Sequence, residues 1–133
     1  MKYAWKFLIL VVLGIGGCNY TNLKRAPGSE NLQLNSEPLV PSYESINKRI
    51  FIAACKDCHN SGGSGKRVLL DKVSLLNSPL ELVIPGNPDE SGLVLSLERN
   101  DDKRMPPSKE GYAPLKEEEK AVIRKWIENG AMD

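Results

Sequence analysis

Apolar residues along the chain fall into separate patterns, and each predicts a different element. Residues 7–15 form one unbroken apolar run behind Lys2 and Lys6. Residues 19–41 are rich in Asn, Ser, Pro and Glu, with isolated leucines and no sustained period, which reads as linker. Ile46, Ile50, Ala53 and Ala54 then stand at i, i+4, i+7 and i+8, and Phe51 widens the stripe. That spacing predicts a helix capped by Ser42, or less well by Ser45, and running to Cys55 or just beyond. Residues 60–65, with three glycines, cannot continue it comfortably and must be a loop.

Two later stretches, Ser78-Pro79-Leu80-Glu81 and Asn87-Pro88-Asp89-Glu90, read as capping boxes with proline at the first helical position. Pro85-Gly86 between them is a predicted turn. The second box should open a helix whose core face is Leu93, Val94 and Leu97. A last helix is announced by Glu117, Glu118 and Glu119, whose charges suit a helix N-terminus. It buries Val122, Ile123, Trp126 and Ile127 and closes at Gly130. The expected fold class is all-α.

At 133 residues the chain has room for one domain plus extensions. Few aromatics and many glycines and prolines suit a small, loop-rich helical domain whose core a large apolar group completes. The 18 basic and 17 acidic residues nearly balance, with no basic run interleaved with aromatics, so nucleic-acid binding has no support.

The candidate chemistry sits at Cys55-Lys56-Asp57-Cys58-His59. This is the CxxCH pattern of covalent haem attachment. Two thiols on one helical turn lie about a haem edge apart, so each can form a thioether to one vinyl group, and His59 then points at the iron. It is the only histidine in the chain. A structural zinc site wants four Cys or His ligands, which this chain cannot supply. A thioredoxin-like pair would open a helix, whereas this one ends it. A plain Cys55–Cys58 disulfide stands as the remaining alternative.

The apolar run at residues 7–15 is well short of the ~20 residues of a membrane-spanning helix and reads as a bacterial export signal. The Ile15-Gly16-Gly17-Cys18 junction resembles a lipobox. That resemblance implies cleavage after residue 17 and lipid on Cys18, with ordinary cleavage nearby and a free thiol as the alternative. Losing Lys2 and Lys6 with residues 1–17 leaves 16 basic against 17 acidic residues. Multiple acyl chains would anchor the chain stably, and the tether at 18–41 has a reach of about 25 Å. Alternatively, Leu32, Leu34, Leu39 and Val40 pack back onto the domain. By resemblance to enterobacterial lipoproteins, Asn19 favours the outer membrane. The chain thus divides into a signal peptide at 1–17, a lipidated linker at 18–41 and a domain at 42–133.

A methionine at Lys103-Arg104-Met105-Pro106-Pro107 is the leading candidate for a second axial ligand. A thioether is a soft, uncharged ligand, and the prolines bias Met105 away from helix and stiffen the loop that presents it. Met132, close to the end of the sequence, is the other methionine beyond the signal. Lys56, Lys103 and Arg104 form either a basic rim around an exposed haem edge or an ordinary solvated pattern, since Asp57, Asp101 and Asp102 are interleaved.

From Ser42 to Asp133 the chain resembles a class I monohaem cytochrome c, most of all the planctomycete-type cytochrome c domain. The resemblance is carried by Phe51 before the haem motif, Pro85-Gly86-Asn87-Pro88-Asp89-Glu90-Ser91, Met105-Pro106-Pro107, and Trp126-Ile127 followed by Gly130-Ala131. It implies first and last helices that cross, Phe51 paired with Trp126 in the core, and loops wrapped around one covalent haem c. Two features depart from the family: Lys116 replaces a Ser or Thr cap on the last helix, and no proline follows His59 closely enough to accept its ring N–H. The implied activity is one-electron transfer with redox proteins as partners, not enzymatic turnover; the export signal and lipobox put it on the periplasmic side of a bacterial membrane. A haem-based sensor with a dissociable Met105, or a docking subunit of a larger dehydrogenase, are the rival readings.

Overall fold

The structure, a computed structural model, describes residues 37–133; the export signal, Cys18, Asn19 and the leucines at 32 and 34 lie outside the described residues. Among the described residues the regular elements are helices, with no strand, as the all-α expectation requires. No helix among them is long and apolar enough to cross a membrane.

The first helix, α1, spans Tyr43–Ile46 and continues without a break as a π-helix over Asn47–Cys55. Ser42 caps it as predicted, its hydroxyl accepting from Ser45 N–H at 3.3 Å. The Ser45 hydroxyl instead accepts from Val40 N–H at 3.1 Å and holds the incoming chain. Leu39 packs partly buried on the core while Val40 stays exposed, and Arg49 donates to the Glu37 carbonyl. Ile46, Ile50 and Phe51 of the predicted stripe are buried, whereas Ala53 and Ala54 are only half-buried because they line open clefts.

Helix α2, Lys72–Leu76, is one that the apolar pattern did not announce. Asp71 caps it by accepting from Ser74 N–H at 2.9 Å, and Leu75 is its buried residue. The Ser78–Glu81 box, expected to start a helix, makes only a turn: Glu81 N–H reaches Ser78 O at 3.0 Å and Glu81 then leaves the helical region with φ 49°. The physical reason lies downstream. Carbonyls of Glu81 and Leu82 accept from Gly92 and Leu93 N–H at 2.8 and 3.0 Å, so this strip of chain stays out of helix to satisfy the orphan donors of the next one.

That helix, α3, spans Gly92–Glu98 and starts beyond the Asn87–Glu90 box, which folds as a turn with Asn87 Nδ2 donating to Glu90 at 2.7 Å. Ser91, fully buried, spends its hydroxyl on the turn rather than on the helix, accepting from Ile84 N–H at 2.9 Å and donating to Asn87 O at 2.8 Å. The Pro85-Gly86 turn forms as expected, with Gly86 at φ 82°. Leu93, Val94 and Leu97 are buried as predicted.

After a 3-10 turn at Ser108–Glu110, the last helix, α4, spans Glu117–Glu128 and packs against both α1 and α3. Its N-terminus is half capped. Glu119 accepts from Lys116 N–H at 2.8 Å, but the Lys116 ammonium has no lone pair with which to return a bond. Its C-terminus closes in a Schellman motif: Ala131 N–H reaches Trp126 O and Gly130 N–H reaches Ile127 O, each at 2.9 Å, with Gly130 at φ 89°. Ile123, Trp126 and Ile127 are fully buried and Val122 half-buried. Truncating a buried aromatic such as Trp126 to alanine typically costs about 3–5 kcal/mol. The ring found against Trp126 is that of Tyr43, with centroids 6.0 Å apart, where Phe51 was expected; Phe51 is buried in the same core.

Candidate functional site

Cys55 ends the π-helix, and Cys58 and His59 follow on the turn that leaves it, with Cys58 and His59 N–H both directed at Cys55 O at 3.2 and 2.9 Å. Both cysteines are free thiols, not joined as a disulfide. Burial, reinforced by the nearby Cys58 and Glu119, pushes the Cys55 thiol up to about 12, so it stays neutral where a buried thiolate would be costly.

The glycine-rich loop after His59 folds back on the motif. Asn60 ties its start, donating from Nδ2 to Lys56 O and Asp57 O at 2.8 and 3.0 Å and accepting from Gly62 N–H at 2.9 Å. Gly65 N–H then reaches Cys58 O, and Val68 N–H reaches Gly65 O, each at 2.9 Å. The loop delivers the Val68 carbonyl to His59 Nδ1 at 3.0 Å. A carbonyl can only accept, so Nδ1 carries the proton and Nε2 keeps its lone pair. Val68 is therefore the ring partner that no proline supplies; residue type gave no hint of it, because the acceptor is backbone.

Met105 lies between α3 and the 3-10 turn, in a cis peptide bond to Pro106, with its N–H on Ser96 O at 2.8 Å. The preceding Arg104 does not face solvent as part of a basic rim. Its guanidinium donates to the carbonyls of Pro106 at 2.6 Å and Tyr112 at 2.7 Å, clipping the two ends of the Met105 loop together. The neighbouring acids are engaged too. Asp101 pairs with Arg99 at 2.5 Å, which holds its carboxyl down at about 2, and Asp102 pairs with Lys109 at 2.5 Å. Arg104 was missed as a structural residue, although a signal existed: a loop rich in prolines lacks amide donors, and its carbonyls must find side-chain ones.

These pieces meet in one cleft with about 800 Å³ of empty space, part of it open to solvent. Cys55, Cys58, His59 and Met105 all line it, together with Ala54, Leu97, Pro106, Pro107 and Tyr112. A second cleft, bounded by Ile50, Ala53 and Leu115, shares the walls Ala54, Pro106 and Tyr112 with the first. Met132, the other candidate methionine, is exposed and lines neither. Among the described residues, no group of three or more His, Cys, Asp and Glu gathers as a bare metal-ion site.

A small helical domain that brings a CxxCH motif and a proline-flanked methionine to one apolar cleft resembles a c-type cytochrome. The match to known families agrees: the family described as planctomycete cytochrome C matches residues 55–109, from the first cysteine of the motif through the Met105 loop. No curated protein and no solved structure matches the chain. A cytochrome c domain implies haem binding and a haem-based role in electron transfer. The residues present fit such a group. The cleft is mostly apolar, and its donors are two thiols, an imidazole with a free Nε2 and a thioether.

Proposed function

We propose that the chain is a one-electron carrier, a monohaem c-type cytochrome tethered to the periplasmic side of a bacterial membrane. The observation that carries this reading is the convergence of Cys55, Cys58, His59 and Met105 on one cleft, although α2 and α3 separate Met105 from the other three in sequence. The thiols of Cys55 and Cys58 would hold the haem through thioethers, and His59 Nε2 and the Met105 sulfur would be the ligands to its iron. Haem held in this way supplies a reversible one-electron couple at iron.

The protein's share is to keep the setting the same in both oxidation states. Val68 O fixes the His59 tautomer, Arg104 clips the loop that presents Met105, and apolar walls keep water from the ligands. Redox proteins are the partners, and lipid on Cys18 provides the anchor, with Asn19 favouring the outer membrane. The purified protein should contain one covalent haem per chain, be six-coordinate and low-spin in both states, and bind carbon monoxide poorly when reduced. Rapid, tight carbon monoxide binding would falsify the carrier reading in favour of ligand sensing. Intact mass of membrane-extracted protein checks the anchor: an unmodified Cys18 rejects it.

A further inference from the structure

We infer that Gly65 is a positioning residue for His59, fixing the plane of the imidazole and the strength of its hydrogen bond to Val68. The inference rests on the reading of His59 as an iron ligand and adds what sets that ligand's donor strength.

The observation is steric. A Cβ built on Gly65 would lie 2.7 Å from His59 Nδ1, 2.8 Å from His59 Cε1 and 3.1 Å from Cys58 O. Ordinary carbon contacts begin near 3.5 Å, so the bare Cα of Gly65 is what allows the backbone to lie against the ring edge. Gly65 does not have the positive φ of Gly86, Gly111 and Gly130, so its φ would accept alanine and the requirement for glycine is steric, set chiefly by the ring and secondarily by the Cys58 carbonyl. The same residue also carries the clamp. Its N–H holds Cys58 O and its carbonyl holds Val68 N–H, each at 2.9 Å, and Val68 O in turn takes His59 Nδ1–H at 3.0 Å. Gly62, in the same loop, is a control, because its Cβ would meet only Asn60 Oδ1 at 3.6 Å.

A hydrogen bond from Nδ1–H to a carbonyl raises the basicity of Nε2 and favours the oxidised metal. Gly65→Ala pushes the ring away, weakens that bond and raises the reduction potential, while Gly62→Ala leaves it unchanged. The test is a redox titration of holoprotein for wild type and both variants, with the sulfur-to-iron charge-transfer absorption recorded to confirm that the methionine ligand stays. Alongside it, NMR of the reduced wild-type protein reads the exchange of the His59 Nδ1–H. A raised potential in Gly65→Ala alone, with a slowly exchanging Nδ1–H in wild type, is the expected result. Equal potentials in the two variants, or an Nδ1–H that exchanges freely, overturns the positioning role. If Gly65→Ala does not fold, the wild-type exchange rate decides by itself. A separate outcome, His59 ring protons in wild type without the ring-current shifts of a haem ligand, refutes the ligation reading and not merely the clamp.

Discussion

The cleft has two walls built on different principles. The wall of Cys55, Cys58 and His59 is local: a helix end, a turn and a glycine loop, with bonds from Asn60, Gly65 and Val68 that all span a few residues. The wall of Met105 is assembled at longer range. Its methionine N–H is held by Ser96 in α3, and its loop is stiffened by prolines and clipped by one guanidinium. A wall made of backbone bonds between neighbours tolerates change at most side chains but not at close-packed glycines. A wall hung from one side chain is sensitive at that side chain. If His59 and Met105 are the two iron ligands, exchange should therefore begin on the methionine side.

The largest effect is expected where both walls depend on what lies between them. Cys55→Ala or Cys58→Ala should abolish normal covalent attachment, and the double variant should lose cooperative thermal unfolding, because so small a domain leans on its cofactor as core. Cooperative melting of the haem-free double variant near the wild-type temperature would rule that dependence out.

Met105→Ala breaks one wall alone. It should open the sixth position, lower the reduction potential and admit carbon monoxide, and Met132→Leu should do none of these. An unchanged sulfur-to-iron absorption in Met105→Ala would show that the ligand lies elsewhere.

Arg104→Lys is the sharper probe, since it keeps the charge and removes the fork. If Arg104 clips the loop, denaturant unfolding should show a loss of about 1–3 kcal/mol and carbon monoxide should bind faster. If it were only a rim charge, neither quantity would move.

The smallest effect lies outside both walls. The Asp71 carboxyl is held below the ordinary aspartate range by its bonds to Ser74, so its contribution is present above the unfolded value near 4 and is lost as pH falls through the folded one. Asp71→Asn should keep the cap and flatten this part of the acid dependence, whereas Asp71→Ala should cost about 0.5–2 kcal/mol at neutral pH. Parallel stability curves from pH 7 to pH 3 separate the two.

The contrast between the walls also explains what could be read from residue order. Ser42, the stripe through Ile123, Trp126 and Ile127, and Gly130 were legible because caps and helical faces are local properties. The site donors were legible as types and spacing. Ser78 and Asn87 misled because a capping box states only that a helix can start. Here the carbonyls of Glu81 and Leu82 were needed by Gly92 and Leu93, and tertiary bonding overrode the local signal. α2 escaped notice because a helix of five residues is too short to show a period. Val68 was invisible in its role because it acts through a backbone carbonyl whose position depends on the finished fold, whereas Arg104 was signalled only indirectly, by a proline-rich loop short of amide donors.

The π-helix has a consequence for insertions and deletions. Its buried side is pinned by Ile50 and Phe51, and its far end must deliver Cys55 to the cleft. Each residue of an α-helix turns the chain by about 100°, and each residue of the wider π-helix by somewhat less. Removing one residue between Phe51 and Cys55 would swing the sulfur well away from the cleft, or drag the buried side chains out of the core to keep it there. This stretch should therefore resist length changes more strongly than it resists substitutions.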